Sequence, residues 1–142
     1  MHTGTLPAMD VTNAMLADFA QVREGLLFVA SGGVTRCYRE MLPALLGVML
    51  ATVIELDSVE TGRPHEVQVV VVDEDGKQLA DISGEIQVGE PQLMIGENLN
   101  LPITFDLRNV LVERFGSVEV RFYVGGEHRR TLPMWVLQTT SQ

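Results

Sequence analysis

A chain of 142 residues with a formal charge of −9 is sized for one domain and too acidic for most polyanionic partners. A domain of this length buries roughly 68–70% of its unfolded surface in a single core. Nucleic acid and acidic membranes are bound through clustered Lys and Arg, and 19 acidic against 10 basic residues offer no such cluster.

The single cysteine, Cys37, has no partner for an intramolecular disulfide, in keeping with a reducing compartment. Met1 to Asp10 contains neither Lys nor Arg and no apolar core, so it resembles neither a secretory signal nor a transit peptide. The expectation is a cytoplasmic protein. Lys77 is the only lysine, a usage that fits an arginine-favouring, GC-rich genome.

In chain order, residues 1–12 read as a flexible leader, residues 13–138 as one domain and residues 139–142 as a tail. Asn13 to Val22 fits a helix or a strand. Its continuation through Arg23-Glu24-Gly25 into Leu26–Ala30 favours a hairpin. Ser31-Gly32-Gly33 breaks the chain, and Val34 to Arg39 follows as a short strand.

Ala44 to Leu56 is apolar on both faces, so as a strand it is expected to be covered on both sides. The run from Met41 to Ile54 is too short for a spanning helix of roughly 20 residues, and Pro43 interrupts its start. A buried helix of the same length is the alternative.

Ser58 to His65 reads as a surface loop, and Glu66 to Val72 as an alternating strand. Asp73-Glu74-Asp75-Gly76 ends that strand with a hairpin signal. Ala80, Ile82, Gly84, Ile86 and Val88 then share one face, with Asp81, Ser83, Glu85 and Gln87 on the wet one. Ala44 to Val88 is therefore expected to form a three-stranded antiparallel meander.

After a loose segment from Gly89 to Asn98, Leu101 to Leu107 alternates as a strand. Arg108 to Gly116 is expected to hold a turn of helix. Val118 to Val124 is the clearest half-buried strand, and Leu132, Met134 and Val136 bring the chain back after Gly125-Gly126. Seven to nine strands with turns between them predict an all-β fold: an antiparallel β-sandwich, Ig-like or jelly-roll-like, or a partly open barrel.

Three stretches carry a resemblance. LADFAQVREGLLFVASGGVTR (Leu16 to Arg36), VVVVDEDGKQL (Val69 to Leu79) and FGSVEVRFYVGGEHRRTLPMWV (Phe115 to Val136) look like a family of small uncharacterised bacterial proteins of actinobacterial type. That family opens with L-A-D-x-A-x-V-x-x-G-K-L. Leu26 stands here where the family has lysine, which removes a charge from the first hairpin. The resemblance implies a β-sandwich and no assigned activity.

No pattern of catalytic residues emerges. Asp73-Glu74-Asp75-Gly76 begins like a calcium loop, but Lys77 occupies a ligand position, Gly76 comes early and no Glu closes the motif. His2, His65 and His128 lack partners at metal-ligand spacing. Ser31-Gly32-Gly33 lacks the features of a phosphate loop, and no G-x-S-x-G elbow is present. A hydrolase would need Glu55, Asp57, His65 or His128 to converge in a cleft. No catalytic, metal or cofactor site is therefore assigned.

Apolar residues in excess of a one-sided sheet are more informative. Trp135 falls with Pro133 and Leu137 on a face that should meet water, and Met49, Val53, Val70 and Val72 are similarly surplus. They form the candidate interface of a non-catalytic interaction module, expected to be a homodimer or to bind another protein. A small apolar ligand held between the sheets is the alternative, with a hydrolase third.

Overall fold

The computed structural model describes residues 9–89 and 92–140. Eleven strands and no helix are found among them, nine of the strands having four or more residues. The expected all-β sandwich is present.

Its first layer is a four-stranded sheet in the order β2-β1-β5-β8, built from β1 (Met9–Arg23), β2 (Leu26–Gly32), β5 (Met49–Leu56) and β8 (Leu99–Asp106). The second is a five-stranded sheet ordered β3-β11-β10-β6-β7. It contains β3 (Arg36–Arg39), β6 (Pro64–Asp73), β7 (Gln78–Gln87), β10 (Gly116–Val124) and β11 (Glu127–Gln138). A two-stranded ribbon of β4 (Ala44–Leu45) and β9 (Leu111–Val112) completes the molecule.

The core lies where the inward side chains of the two sheets meet. Leu16, Leu50, Ile54 and Phe105 from the first sheet join Val69, Val71, Phe122 and Met134 from the second in one buried cluster. Phe105 meets Phe122 edge-on across the interior, with ring centroids 5.5 Å apart and planes at 61°. Thr52 is fully buried among them, its hydroxyl donating to the Ile103 carbonyl at 2.8 Å. Period-2 alternation therefore selects the core.

The β1–β2 hairpin expected from Arg23-Glu24-Gly25 is formed. Glu24 and Gly25 have φ of 52° and 74°, the type I′ geometry that matches the twist of its flanking strands. The cover expected for the apolar segment is also present. The inner face of β5 enters the core, while Met49 and Ala51 pack with Ala20 under Met15, Leu27 and Val29.

Three expectations are corrected. The meander from Ala44 to Val88 forms only in its second half: β6 and β7 pair antiparallel as expected, whereas β5 pairs with β1 and β8 in the opposite sheet. The loop at Asp57–Arg63 carries the chain from one layer to the other. The single strand expected over Ala44–Leu56 divides in two, because Gly47 at φ 76° turns the chain between β4 and β5.

The helical turn expected after Arg108 is a turn followed by β9, since Leu111 and Val112 find partners in Leu45 and Ala44. β1 begins at Met9, and Met9 and Val11 are buried core residues of it. Within the otherwise antiparallel sandwich, β3 runs parallel to β11. Residues 1–8, including His2 and most of the expected leader, lie outside the described residues.

Candidate interaction surfaces

The outer face of the five-stranded sheet carries Trp135 beside Arg36, its cross-strand partner, and near Tyr38, whose hydroxyl accepts a bond from Arg36 at 3.2 Å. Trp135 is 49% exposed, as its alternation against the buried Met134 and Val136 predicts. Farther along the face the surface turns polar. The Arg121 guanidinium donates to Glu119, and His128 hydrogen-bonds Thr131 at 2.6 Å. A shallow groove of about 380 Å³ lies beside Tyr123, lined by Glu66, Gln68, Ser83 and Glu85.

The candidate interface residues are thereby separated. Trp135 and Val70 belong to the outer face of the five-stranded sheet, with Val70 half-buried between Arg121 and Asp81 as cross-strand partners. Val72 is buried rather than exposed. It sits at the irregularity after Val71, paired with Glu119 on one side and Gln78 on the other.

Met49 is likewise buried, because the long side chain of Met15 and the apolar side of β2 cover it. Val53 is half-buried on the outer face of the other sheet. Since Met49 and Val53 belong to one layer and Val70 and Val72 to the other, all on outward faces, the four cannot line a common cavity between the sheets.

A second apolar area lies at the tip of the first hairpin, which sequence reasoning did not select. Leu26 and Phe28 are 73% and 51% exposed there. The signal was present in the missing lysine at position 26, which was read only as a lost charge.

Of the residues considered for hydrolysis, Asp57 and His65 come together around Glu60, while Glu55 and His128 lie elsewhere. Asp57 and Glu60 exchange hydrogen bonds in the crossing loop: the Asp57 amide donates to Glu60 Oε1 at 2.8 Å, and the Glu60 amide donates to Asp57 Oδ1 at 3.1 Å. His65 Nε2 lies 2.7 Å from the Glu60 carbonyl. His128 lies on the outer face of the five-stranded sheet, and Glu55 pairs with Asp10 and Asn100 in the other. The Asp73 carboxylate accepts the amides of Asp75 and Lys77 and so builds the hairpin turn. Among the described residues no group of three or more His, Cys, Asp or Glu is arranged to hold a metal.

Two buried groups are perturbed. Burial pushes the Cys37 thiol up, against the nearby positive charge of Arg39. Burial also raises the Glu60 carboxyl above its ordinary 4.5, although the bond from the Asp57 amide acts the other way. Glu60 is only 3% exposed and its Oε2 has no partner.

A carboxyl whose pKa rises on folding loses its proton first in the unfolded chain. Its ionisation therefore costs stability as pH climbs from 4.5 through the folded-state value. Glu60→Gln keeps the Oε1 acceptor and removes the charge. Its melting temperature relative to the native chain should shift in the variant's favour between about pH 4 and pH 8. A gap that is constant with pH would show that Glu60 titrates normally.

Residues 12–137 match the protein-family model for a family of unknown function, DUF6941. The chain belongs to DUF6941. The match spans all three stretches that carried the sequence resemblance and nearly the whole sandwich. No curated protein matches the chain. Among solved structures, the chain is similar to the Pseudomonas fluorescens alkylpurine DNA glycosylase AlkC bound to DNA containing an abasic site analog. The identity is 10% and the TM-score 0.46, over 91% of this chain and 30% of that one. The chain thus spans about a third of that protein's length, and a likeness this distant assigns the DUF6941 domain no activity. No helix among its described residues is long and apolar enough to cross a membrane.

Proposed function

We propose that this DUF6941 domain is a non-catalytic, self-associating interaction module of the cytoplasm. The observation that supports it is the persistence of large apolar side chains at two separate places on a surface whose net charge is −9: Trp135 with Tyr38, and Leu26 with Phe28. Acidic residues keep such a chain soluble, so aromatic and aliphatic exposure of this size marks a surface that is covered in use. Trp, Tyr and Arg are also the residue types that dominate protein interfaces, and Trp135, Tyr38 and Arg36 stand together.

A small apolar ligand between the sheets fits less well, because Phe122, Leu50, Ile54 and Met134 fill that space. Sedimentation or native mass measurements on the intact chain across micromolar concentrations are expected to show a dimer or larger species. A strict monomer throughout that range would overturn self-association.

A further inference from the structure

Among the described residues, each of the two large sheets ends in strands whose outer backbone groups have no ladder partner, and such edges are normally protected by charge, proline or distortion. Three of the four edges follow that rule. β3 has four residues, two of them Arg36 and Arg39; β7 carries Asp81 and Glu85; β8 contains Pro102 and Asp106. The fourth edge, β2, reads Leu-Leu-Phe-Val-Ala-Ser-Gly and has neither charge nor proline.

The hairpin register determines which groups of β2 are free. Arg23 and Leu26 close a two-residue turn, so Leu26, Phe28 and Ala30 direct their amides and carbonyls toward β1. The amides and carbonyls of Leu27 and Val29 then point away from the sheet. Ser31, at φ 54°, ends the flat stretch.

We infer that β2 is the seam of a two-fold homodimer, in which it pairs antiparallel with β2 of a second copy. This rests on the self-association proposed above and assigns it a place. With the axis through Phe28, Leu27 stands opposite Val29 of the copy, and their free groups make four hydrogen bonds. Phe28 then faces its own counterpart in a non-hydrogen-bonded pair, where side chains approach closest, and Leu26 faces Ala30.

Two four-stranded sheets become one of eight. The occupant is a second copy because this edge is self-complementary and uncharged. A chain of net charge −9 would set Asp81 and Glu85 against their own copies at β7, whereas β2 brings no acidic residue face to face. Screening the remaining net repulsion with salt should tighten the dimer.

The test uses the full-length chain. Phe28 is half exposed, so Phe28→Cys and Phe28→Lys leave the core untouched. Under mild oxidation, Phe28→Cys should become a disulfide-linked dimer, since Cα atoms of such a pair lie within disulfide reach. Ser83→Cys on the β7 edge should not cross-link. Phe28→Lys places like charges opposite each other and should weaken dimerisation at least about tenfold, with the circular dichroism of the native fold retained. Trp135→Ala should leave the dimer unchanged.

A dimer that survives Phe28→Lys, fails to cross-link through Phe28→Cys or dissociates with Trp135→Ala overturns the β2 seam while self-association stands. A native chain that is monomeric throughout overturns both.

Discussion

Truncating Phe122 to alanine is expected to lower the free energy of unfolding by about 3–5 kcal/mol. The ring is fully buried on the inner face of β10, with Val69 as its cross-strand partner on β6. Its edge-on contact with Phe105 is where the two sheets touch through aromatic surface. Alanine would remove that contact and leave a void that the surrounding strands fill only in part, because their backbones are held by ladders on both sides. A domain of this kind has roughly 5–15 kcal/mol in total, so the variant should unfold at a much lower urea concentration with a similar slope. Trp135→Ala is the control: it removes a large ring from a half-exposed position outside the β2 seam and should cost far less. Equal losses for the two substitutions would show that the Phe105–Phe122 contact is not central to the fold.

The second large effect is expected at Arg39. Its guanidinium collects three carbonyls: Nε donates to Leu45 at 3.1 Å, Nη1 to Tyr38 at 2.8 Å and Nη2 to Leu46 at 3.0 Å. These bonds hold the segment between β3 and β5 against the sheet. Gly47 belongs to the same arrangement, since a Cβ at that position would come within 2.7 Å of Arg39 Nη2. Arg39→Met keeps most of the apolar stem and abandons the carbonyls. The two exposed carbonyls can turn to water, whereas the Leu46 carbonyl is partly buried, so a loss of about 1.5–3 kcal/mol is expected, the range for one charge-assisted bond. Arg39→Lys retains the charge without the planar fork and should recover only part of it. The charge has its own readout, because Arg39 holds the Cys37 thiol down against burial. In Arg39→Met that thiol should titrate at still higher pH, and in Arg39→Lys it should move less, as followed by thiolate absorbance.

Much of this architecture is legible in the sequence, for a specific reason. Alternation over Val67–Val71, Ala80–Ile86 and Val118–Val124 records which side of each strand is buried. The Glu24-Gly25 and Asp73–Gly76 turns record where the chain reverses. Neither records which strand becomes the neighbour. The crossing loop after Leu56 is compatible with a hairpin or with passage to the other sheet, and both leave the same faces apolar; hence the β6–β7 half of the meander is right and the β5–β6 pairing is not. The parallel contact of β3 with β11 joins segments far apart in the chain, and no local pattern marks it. Leu111 and Val112 are ambiguous by themselves and become a strand only because Ala44 and Leu45 lie opposite.

The candidate surface divides in the same way. Trp135 was visible because alternation alone places it outside. Met49 and Val72 were selected by the same rule and proved to be covered, since what covers a strand comes from elsewhere in the fold. Leu26 and Phe28 fall in the expected second strand of the hairpin, and that strand becomes an unprotected edge only when sheet order is known.

The position of β11 carries a consequence for synthesis in the cell. This last strand lies between β3, made early, and β10, made just before it. As the chain leaves the ribosome from its N-terminus, β3 has no partner in its sheet until β11 has emerged. When β8 completes the first sheet, only the β6–β7 hairpin of the second has been made, and until β10 and β11 join it part of the apolar inner face stays uncovered, a state prone to associate with other chains. Chains truncated within β11 would remain in that state permanently, and their fate would depend on chaperones and proteases rather than on the sandwich itself.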